Sequence, residues 1–286
     1  MILVDFSQVI LASMFATIGG PGHGDDISED FLRHVLLNSL KASRKKFRDE
    51  YGELVICCDD KGSWRRDVFP YYKANRRKSR EESKLDWSSI FETIATLKSE
   101  LHENFPYTVI QIPNAEADDI IGTICHEYGV ELNNGADKIL ILSGDKDFIQ
   151  LHKYSNVDQY NPAMKTWVRN NNPERYLLEH IARGDGGDGI PNVRSADNCL
   201  VVGERQKPIT AKWLEQIIND PESLDPLVKA RLKRNQTIID LENTPDDLKE
   251  KILAAYWDEK SIGRSKLWSY FVEKKLKNLM GELNQF

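Results

Sequence analysis

Residues 139–151 read ILILSGDKDFIQL, and the assignment of this stretch decides the fold. Four apolar residues run into a turn that carries Asp145 and Asp147, two carboxylates two positions apart. A short unbroken apolar run that stops at Ser-Gly reads as a strand buried on both faces. Three other runs have the same form: ILVDF (2–6), LVICCD (54–59) and YTVIQI (107–112). Helix-like segments lie between them. Over residues 28–52, Phe31, Val35, Leu36 and Leu40 share one face, Ser28 stands where a cap belongs, and Gly52 follows the end. Residues 86–105 and 115–129 behave alike. Strand and helix in alternation, with apolar strands, predict a mostly parallel sheet covered by helices on both faces. VDQY and KTWVRN add a late hairpin, and from Asn172 the pattern is helical to the end. The expected organisation is an α/β core over residues 1–172 and a helical region over 173–286, with no internal repeat.

The chain has 286 residues, 40% of them apolar, enough for one large domain or a domain with a smaller companion. No run of 18 uncharged apolar residues is present, so no membrane span is expected. The opening MILVDFSQVI reaches Asp5 without a basic region and does not read as a signal peptide. Cys57, Cys58, Cys125 and Cys199 form no C-x-x-C pair, and the six histidines are scattered. Neither a disulfide framework nor a zinc site is expected, and a reduced, cytoplasmic setting fits.

Net charge is −6, which alone argues against a nucleic-acid partner. Residues 61–84, KGSWRRDVFPYYKANRRKSREESK, reverse that argument with nine Lys/Arg against three Asp/Glu. Sign asymmetry matters more than the sum. This segment has too few aliphatic residues for a core-facing helix; it reads as a solvated linker or as a nucleic-acid clamp. GGPGHGDD (19–26) matches no phosphate-binding glycine motif and reads as a plain loop.

Acid closes most of the core strands. Asp5 ends the first, Asp59 and Asp60 the second, Asp145 and Asp147 the one quoted above. The strand at 107–112 leads into NAEADDIIG, which supplies Glu116, Asp118 and Asp119 at a helix start. A lone Asp after a strand is ordinarily a helix cap. In a parallel sheet, however, all C-terminal strand ends share one edge, where open α/β folds bind ligands. So many carboxylates together repel and are driven to take up protons unless cations intervene. Oxygen donors select magnesium or manganese over zinc. A further pair, Asp185 and Asp188 in RGDGGDGIPNV (183–193), sits in a glycine-rich turn; a simple turn and a metal role both remain open on spacing alone.

VDFS, CCDD…WRRDVFPYYKANR, AEADD, SGDKDF and GDGGDGIP stand in the order found in the FEN-like 5′ nucleases, which include flap endonucleases and the 5′-nuclease domain of bacterial DNA polymerase I. The chain resembles that family over nearly its whole length. WRRD, YYK-x-NR and REES-x-x-DW resemble in particular the ribonuclease H branch of T-even phages. The resemblance implies a PIN-like core, a helical arch over residues 61–84 and a C-terminal helix–three-turn–helix DNA-binding region. It implies two metal sites: Asp5, Asp59, Asp118 and Asp145 around the first, with Glu116 close by, and Asp147, Asp185 and Asp188 at the second. Asp60 and Asp119 match an outer shell. Lys73 matches a lysine that approaches the scissile phosphate, and Arg76 a cation at the threading gateway. Arg65, Arg66, Arg77, Lys78 and Arg80 are expected to guide the strand through its phosphates, contacts that ignore sequence and weaken with salt. Tyr71 and Tyr72 either stack on an unpaired base or pack the base of the arch.

One departure stands out. The family follows its GD-x-x-DN-IPG motif with a glycine hairpin that holds duplex phosphate and a monovalent cation. Here Gly189 replaces the usual Asn and Gly203 alone survives near the hairpin, which leaves Lys207, Thr210 and Lys212 as the phosphate contacts to expect.

The implied activity is a two-metal 5′→3′ exonuclease and flap endonuclease, using Mg2+ with Mn2+ as a substitute. It would act on 5′ ends of RNA–DNA hybrids and branched DNA and remove RNA primers in lagging-strand replication. The implied setting is a monomer in the host cytoplasm, beside a sliding clamp and a single-strand-binding protein, with MGELNQF as a tail that docks on a partner or ends a helix. The rival readings are a catalytically silent DNA-junction scaffold, against which the full carboxylate set speaks, and a PIN-type endoribonuclease, against which the arch and the 183–193 motif speak.

Overall fold

The computed structural model describes residues 1–19, 27–130, 135–258 and 263–286. Most of the glycine-rich loop (20–26) lies outside them. Six strands form one sheet: β1 (Ile2–Asp5), β2 (Leu54–Cys58), β3 (Thr108–Gln111), β4 (Ile139–Leu142), β5 (Val157–Asn161) and β6 (Thr166–Val168). Their order is β3-β2-β1-β4-β5-β6, parallel except for the last pair, which is the expected hairpin. The chain steps outward from β1 to β3, then returns to the other side of β1. The switch point between β1 and β4 opens a crevice at the C-terminal strand ends.

Side chains alternate across the sheet, and both faces are dry. Ile2, Val4, Leu54, Ile56, Leu140 and Leu142 enter one apolar cluster; Leu3, Val55, Cys57, Ile139 and Ile141 enter the other. The first face is covered by α1 (Phe6–Ile18), α2 (Glu29–Tyr51) and α5 (Trp87–Asn104). Two short helices, α3 (Arg65–Val68) and α4 (Asn75–Glu81), lie in the basic segment between β2 and α5. The second face is covered by α6 (Ala117–Tyr128) and later by α11 (Asp246–Asp258). The caps fall where the sequence places them: the Ser28 hydroxyl accepts the Phe31 amide at 3.2 Å, and Gly52 closes α2 at φ 90°.

Sequence reasoning assigned no element to residues 7–18, where the structure has α1. Phe6, Val9, Ile10 and Met14 are buried with few polar residues between them, so the polar face that makes a 3.6-residue period visible is almost missing.

Beyond Asn172, which caps the next helix by accepting the Arg175 amide, come α7 (Pro173–Arg183), α8 (Cys199–Val202), α9 (Ala211–Asn219) and α10 (Pro226–Ile239). After α11 come α12 (Leu267–Glu273) and α13 (Lys277–Met280). This region wraps back over the core. Tyr270, Phe271 and Phe286 are buried against Phe105, so the tail ends inside the chain's own core, leaving its last aromatic ring unexposed to a partner.

Candidate active site

The quoted turn is braced from three sides. The Ser143 hydroxyl donates to Asp5 at 2.9 Å and accepts the Asp145 amide at 3.0 Å. Asp145 accepts the Asp147 amide at 3.0 Å, which aims the two carboxylates into the crevice. From β5, the Gln159 side-chain amide donates to the carbonyls of Ser143 (3.0 Å) and Asp145 (2.5 Å). A Cβ at Gly144 would sit 2.3 Å from the Asn161 side-chain nitrogen and 2.9 Å from that of Gln8, so a larger residue there would have to turn both side chains aside. Sequence reading found the acids and missed Ser143 and Gln159, which are set by strand pairing.

Asp5, Asp59, Asp118, Asp145, Asp147 and Asp185 meet in this crevice. Burial, then Asp59 and Asp145, push the Asp5 carboxyl up to about 8. Burial and Asp147 push Asp145 up to about 6. Asp118 is held well above the usual range by burial, Asp145 and Asp5, and Asp185 is raised by burial, Asp147 and Asp188. Asp59 faces the start of α6, where it accepts the Ala117 amide at 2.9 Å. Carboxylates that raise one another in this way have more negative charge than the protein neutralises. Such charge calls for a cation, and hard-oxygen donors suit divalent ones.

Glu116 is placed differently. It accepts from Ser63 (3.1 Å), Arg65 (3.1 Å), Tyr72 (2.8 Å) and Lys73 (2.5 Å). Burial would raise its carboxyl, but Lys73 and Arg65 hold it at about 2. It anchors the arch to the core rather than standing open beside the other acids. Asp119, fully buried, accepts from Trp64, Arg65, Thr244 and the Glu116 amide, and is a structural hub. Asp60 closes the turn after β2 by accepting the amides of Gly62 and Asn114.

Asp188 also departs from expectation. Its carboxylate faces the basic segment, paired with Arg76, with the Tyr72 hydroxyl, whose one proton it shares with Glu116, at 2.9 Å and Lys73 at 3.5 Å. In its place Asp147 and Asp185 are joined by His180, the three offering donor atoms within 4.8 Å of one another. His180 was not singled out from the sequence, since no second histidine stands at ligand spacing. The only signal was its place five residues before Asp185, on the helix that leads into the turn.

The basic segment divides into a buried base and an exposed arm. Phe69 and Tyr72 pack with Ile181, Ile190, Ile238 and Ile239, so the segment is seated on the C-terminal helices. This corrects two expectations. Arg65 is 3% exposed and donates to Glu116, Asp119 and the Ile238 carbonyl, so no phosphate reaches it. Tyr72, also 3% exposed with its hydroxyl between Glu116 and Asp188, packs the arch base and stacks on no base; Tyr71 is the exposed ring. Lys73 adopts φ 56° at the junction, its amide donating to the Asp188 carbonyl at 2.7 Å. Burial opposes its charge, but Asp188 and Glu116 raise the ammonium above its ordinary range. The exposed arm carries Arg66, Arg77, Lys78 and Arg80, with Arg77 paired to Glu81 and Arg80 lying over the Phe91 ring. Lys207 is exposed in the segment that links α8 to α9, and Lys212 is exposed in the first turn of α9, which Thr210 caps.

Carboxylates at the switch point of a parallel sheet, under a basic segment that presents Lys73 and Arg76, define a phosphodiester-cleaving class of protein. The chain belongs to the 5′-3′ exonuclease family: residues 1–179 match its N-terminal resolvase-like domain, and residues 171–286 match the domain described as T4 RNase H, C terminal. It is 36% identical over 296 residues to the ribonuclease H of Enterobacteria phage T4, covering 99% of this chain and 95% of that protein. It is 24% identical to the thermostable DNA polymerase I of Thermus thermophilus, over 86% of this chain but 29% of the polymerase. The fold is shared with the bacteriophage T5 flap endonuclease, solved in a pseudo-enzyme-product complex with DNA and metal ions. The TM-score is 0.59 at 16% identity, over 96% of this chain and 97% of that one. The chain is thus a nuclease of the 5′-3′ exonuclease family. No helix among the described residues is long and apolar enough to cross a membrane.

Proposed function

We propose that this nuclease cuts phosphodiesters at the 5′ ends of RNA–DNA hybrids and of flapped or branched DNA, with two divalent cations, Mg2+ in the ordinary case and Mn2+ as a substitute. The observation that carries the reading is the meeting of Asp5, Asp118 and Asp145, each raised by burial and by its neighbours, under the cationic base formed by Lys73 and Arg76. Asp5, Asp59, Asp118 and Asp145 would hold one cation, and Asp147 and Asp185 the other; Asp188 would join them once a strand draws Arg76 away. Bound there, the cations would supply Lewis-acid chemistry: a water acidic enough to attack and neutralisation of charge on the phosphate. The chain's own residues do the rest. Lys73, fixed by Glu116, offers an ammonium to the charge that develops on the phosphate. Arg66, Arg77, Lys78 and Arg80 steer the strand by its phosphates, and Lys207 and Lys212 touch the duplex side. Shape and phosphate, rather than bases, would be read. Primer removal in a phage-infected cytoplasm, by a monomer acting beside a clamp and a single-strand-binding protein, is the biological setting that this reading favours.

The test is cleavage of a 5′-labelled flap, an RNA–DNA hybrid and single-stranded RNA, each with and without Mg2+. Cutting of the first two, with Mg2+ alone, is the expected result. Binding without cutting would make the protein a junction scaffold, and cutting of single-stranded RNA only would make it an endoribonuclease.

A further inference from the structure

His180 lies in the last turn of α7, where Gly184 closes the helix on the His180 carbonyl at 2.8 Å. Its ring stacks on Tyr176, one turn earlier, with centroids 5.9 Å apart and planes at 11°. That stack fixes which way the imidazole faces. Its Nε2 lies 3.2 Å from an Asp147 oxygen and 3.7 Å from an Asp185 oxygen. That nitrogen is buried; burial opposes an imidazolium charge there, but Asp147 and Asp185 raise the ring above its ordinary range, so without a cation it pairs with them. The three side chains offer one donor atom each within 4.8 Å of one another, the spacing of a cation's ligands, and a divalent cation entering between them would take the place of the imidazolium proton. The other described histidines whose contacts are known are used elsewhere: His126 with Tyr154 and His152 with Gln159.

We propose that His180 is a nitrogen ligand of the second cation, completing a site with Asp147 and Asp185 that takes Mn2+ in preference to Mg2+. This rests on the two-cation reading above. Mn2+ shares the preference of Mg2+ for oxygen, but as a first-row transition ion it accepts an imidazole nitrogen more readily than Mg2+, which retains its waters. The first site, built from Asp5, Asp59, Asp118 and Asp145, has oxygen donors alone, so the two positions differ in the metal that they select. A chain that works with either ion would then have one permissive position and one that discriminates.

The test uses the full chain loaded with Mn2+ alone. Titration calorimetry gives the number of ions bound, and pulsed electron paramagnetic resonance on protein with 15N-labelled histidine reports imidazole nitrogen bonded to Mn2+. Two ions with an imidazole coupling, a coupling lost in His180→Gln, and a second site weakened for Mn2+ by on the order of tenfold or more while Mg2+ binding there changes less, is the expected result. His180→Asn, which shortens the side chain, repeats the test if the Gln variant melts early. Two ions without imidazole coupling, or a coupling that survives both variants, would overturn the role of His180 and leave the two-cation reading standing. A single ion in the unmodified protein would overturn both.

Discussion

Asp118 concentrates the conflict at the site: burial, Asp145 and Asp5 all push its carboxyl up, with Lys73 alone pulling the other way among the leading influences. Unfolded, such a carboxyl titrates near 4. Folded, Asp145 titrates at about 6 and Asp5 at about 8, so the native state holds more protons than the unfolded chain between those values. Stability therefore declines as pH rises from about 4 through the raised folded values, and levels off above them. Thermal melts in EDTA at pH 5 and pH 8 should show the higher melting temperature at pH 5. Added Mg2+ should reverse the order by binding the native state. Asp118→Asn removes one repelling charge and should melt above the unmodified protein in EDTA at pH 8, by about 2–4 °C per kcal/mol of relief. It should cleave nothing; a variant that melts lower would mean that Asp118 is held by the fold and not strained by its neighbours. Lys73 acts by the opposite sign. Lys73→Ala should slow turnover by on the order of 100-fold with substrate binding nearly unchanged, because a charge aimed at the transition state leaves ground-state affinity alone. Equal losses in turnover and affinity, measured by single-turnover kinetics and fluorescence anisotropy, would reduce Lys73 to a phosphate contact.

The basic segment and the Asp185–Asp188 turn behave as one element, joined at Gly189. There φ is 72°, and a Cβ would meet the Asn75 side-chain oxygen at 2.9 Å, the Tyr71 carbonyl at 3.0 Å and the Lys73 amide at 3.3 Å. Two of those three atoms are backbone, which has little room to give. Gly189→Ala should therefore displace the turn that carries Lys73 and lower stability by about 1–2 kcal/mol from the left-handed backbone alone. Turnover should fall with it while the sheet survives, as followed by thermal melts and circular dichroism. A variant with full activity would show that the arch base and this turn move independently. The outer arm is a separate case, since its cations face water. Replacing Arg66 and Lys78 by Gln should flatten the dependence of affinity on salt by about one unit of slope per lost phosphate contact. An unchanged slope would place the strand elsewhere.

Across the whole molecule, the C-terminal helices close the core as well as carrying the proposed contacts to duplex phosphate. Phe286 is fully buried, with its ring 5.8 Å from Phe105 and 5.2 Å from Phe271. Phe286→Ala should cost about 3–5 kcal/mol, as for a large aromatic removed from a packed interior, and its melting temperature should fall accordingly; a loss under 1 kcal/mol would mean that the tail is loosely seated. No sequence pattern announced this, because MGELNQF has one aromatic residue and no period. Much else was legible. Four unbroken apolar strands, the helix caps at Ser28 and Gly52, and acid at the strand ends are local features, and a parallel sheet gathers its C-terminal ends on one edge whatever the details. From that alone the convergence of acid at one edge followed; that Asp5, Asp59, Asp118, Asp145 and Asp147, and not Asp60 or Asp119, are the acids of the site was what the family resemblance implied. What the sequence left open is how long side chains from different elements pair once they are brought together. Arg65 and Tyr72 turned inward because Glu116, Asp119 and Asp188 lie within hydrogen-bond reach, and a charge or hydroxyl leaving water must find such partners. His180 came beside Asp147 because α7 packs against the turn after β4, a contact between residues 33 positions apart. Periodicity and spacing report the near neighbours of a residue along the chain; the partners that satisfy a buried charge are chosen by the packing of elements, and only the folded chain contains that choice.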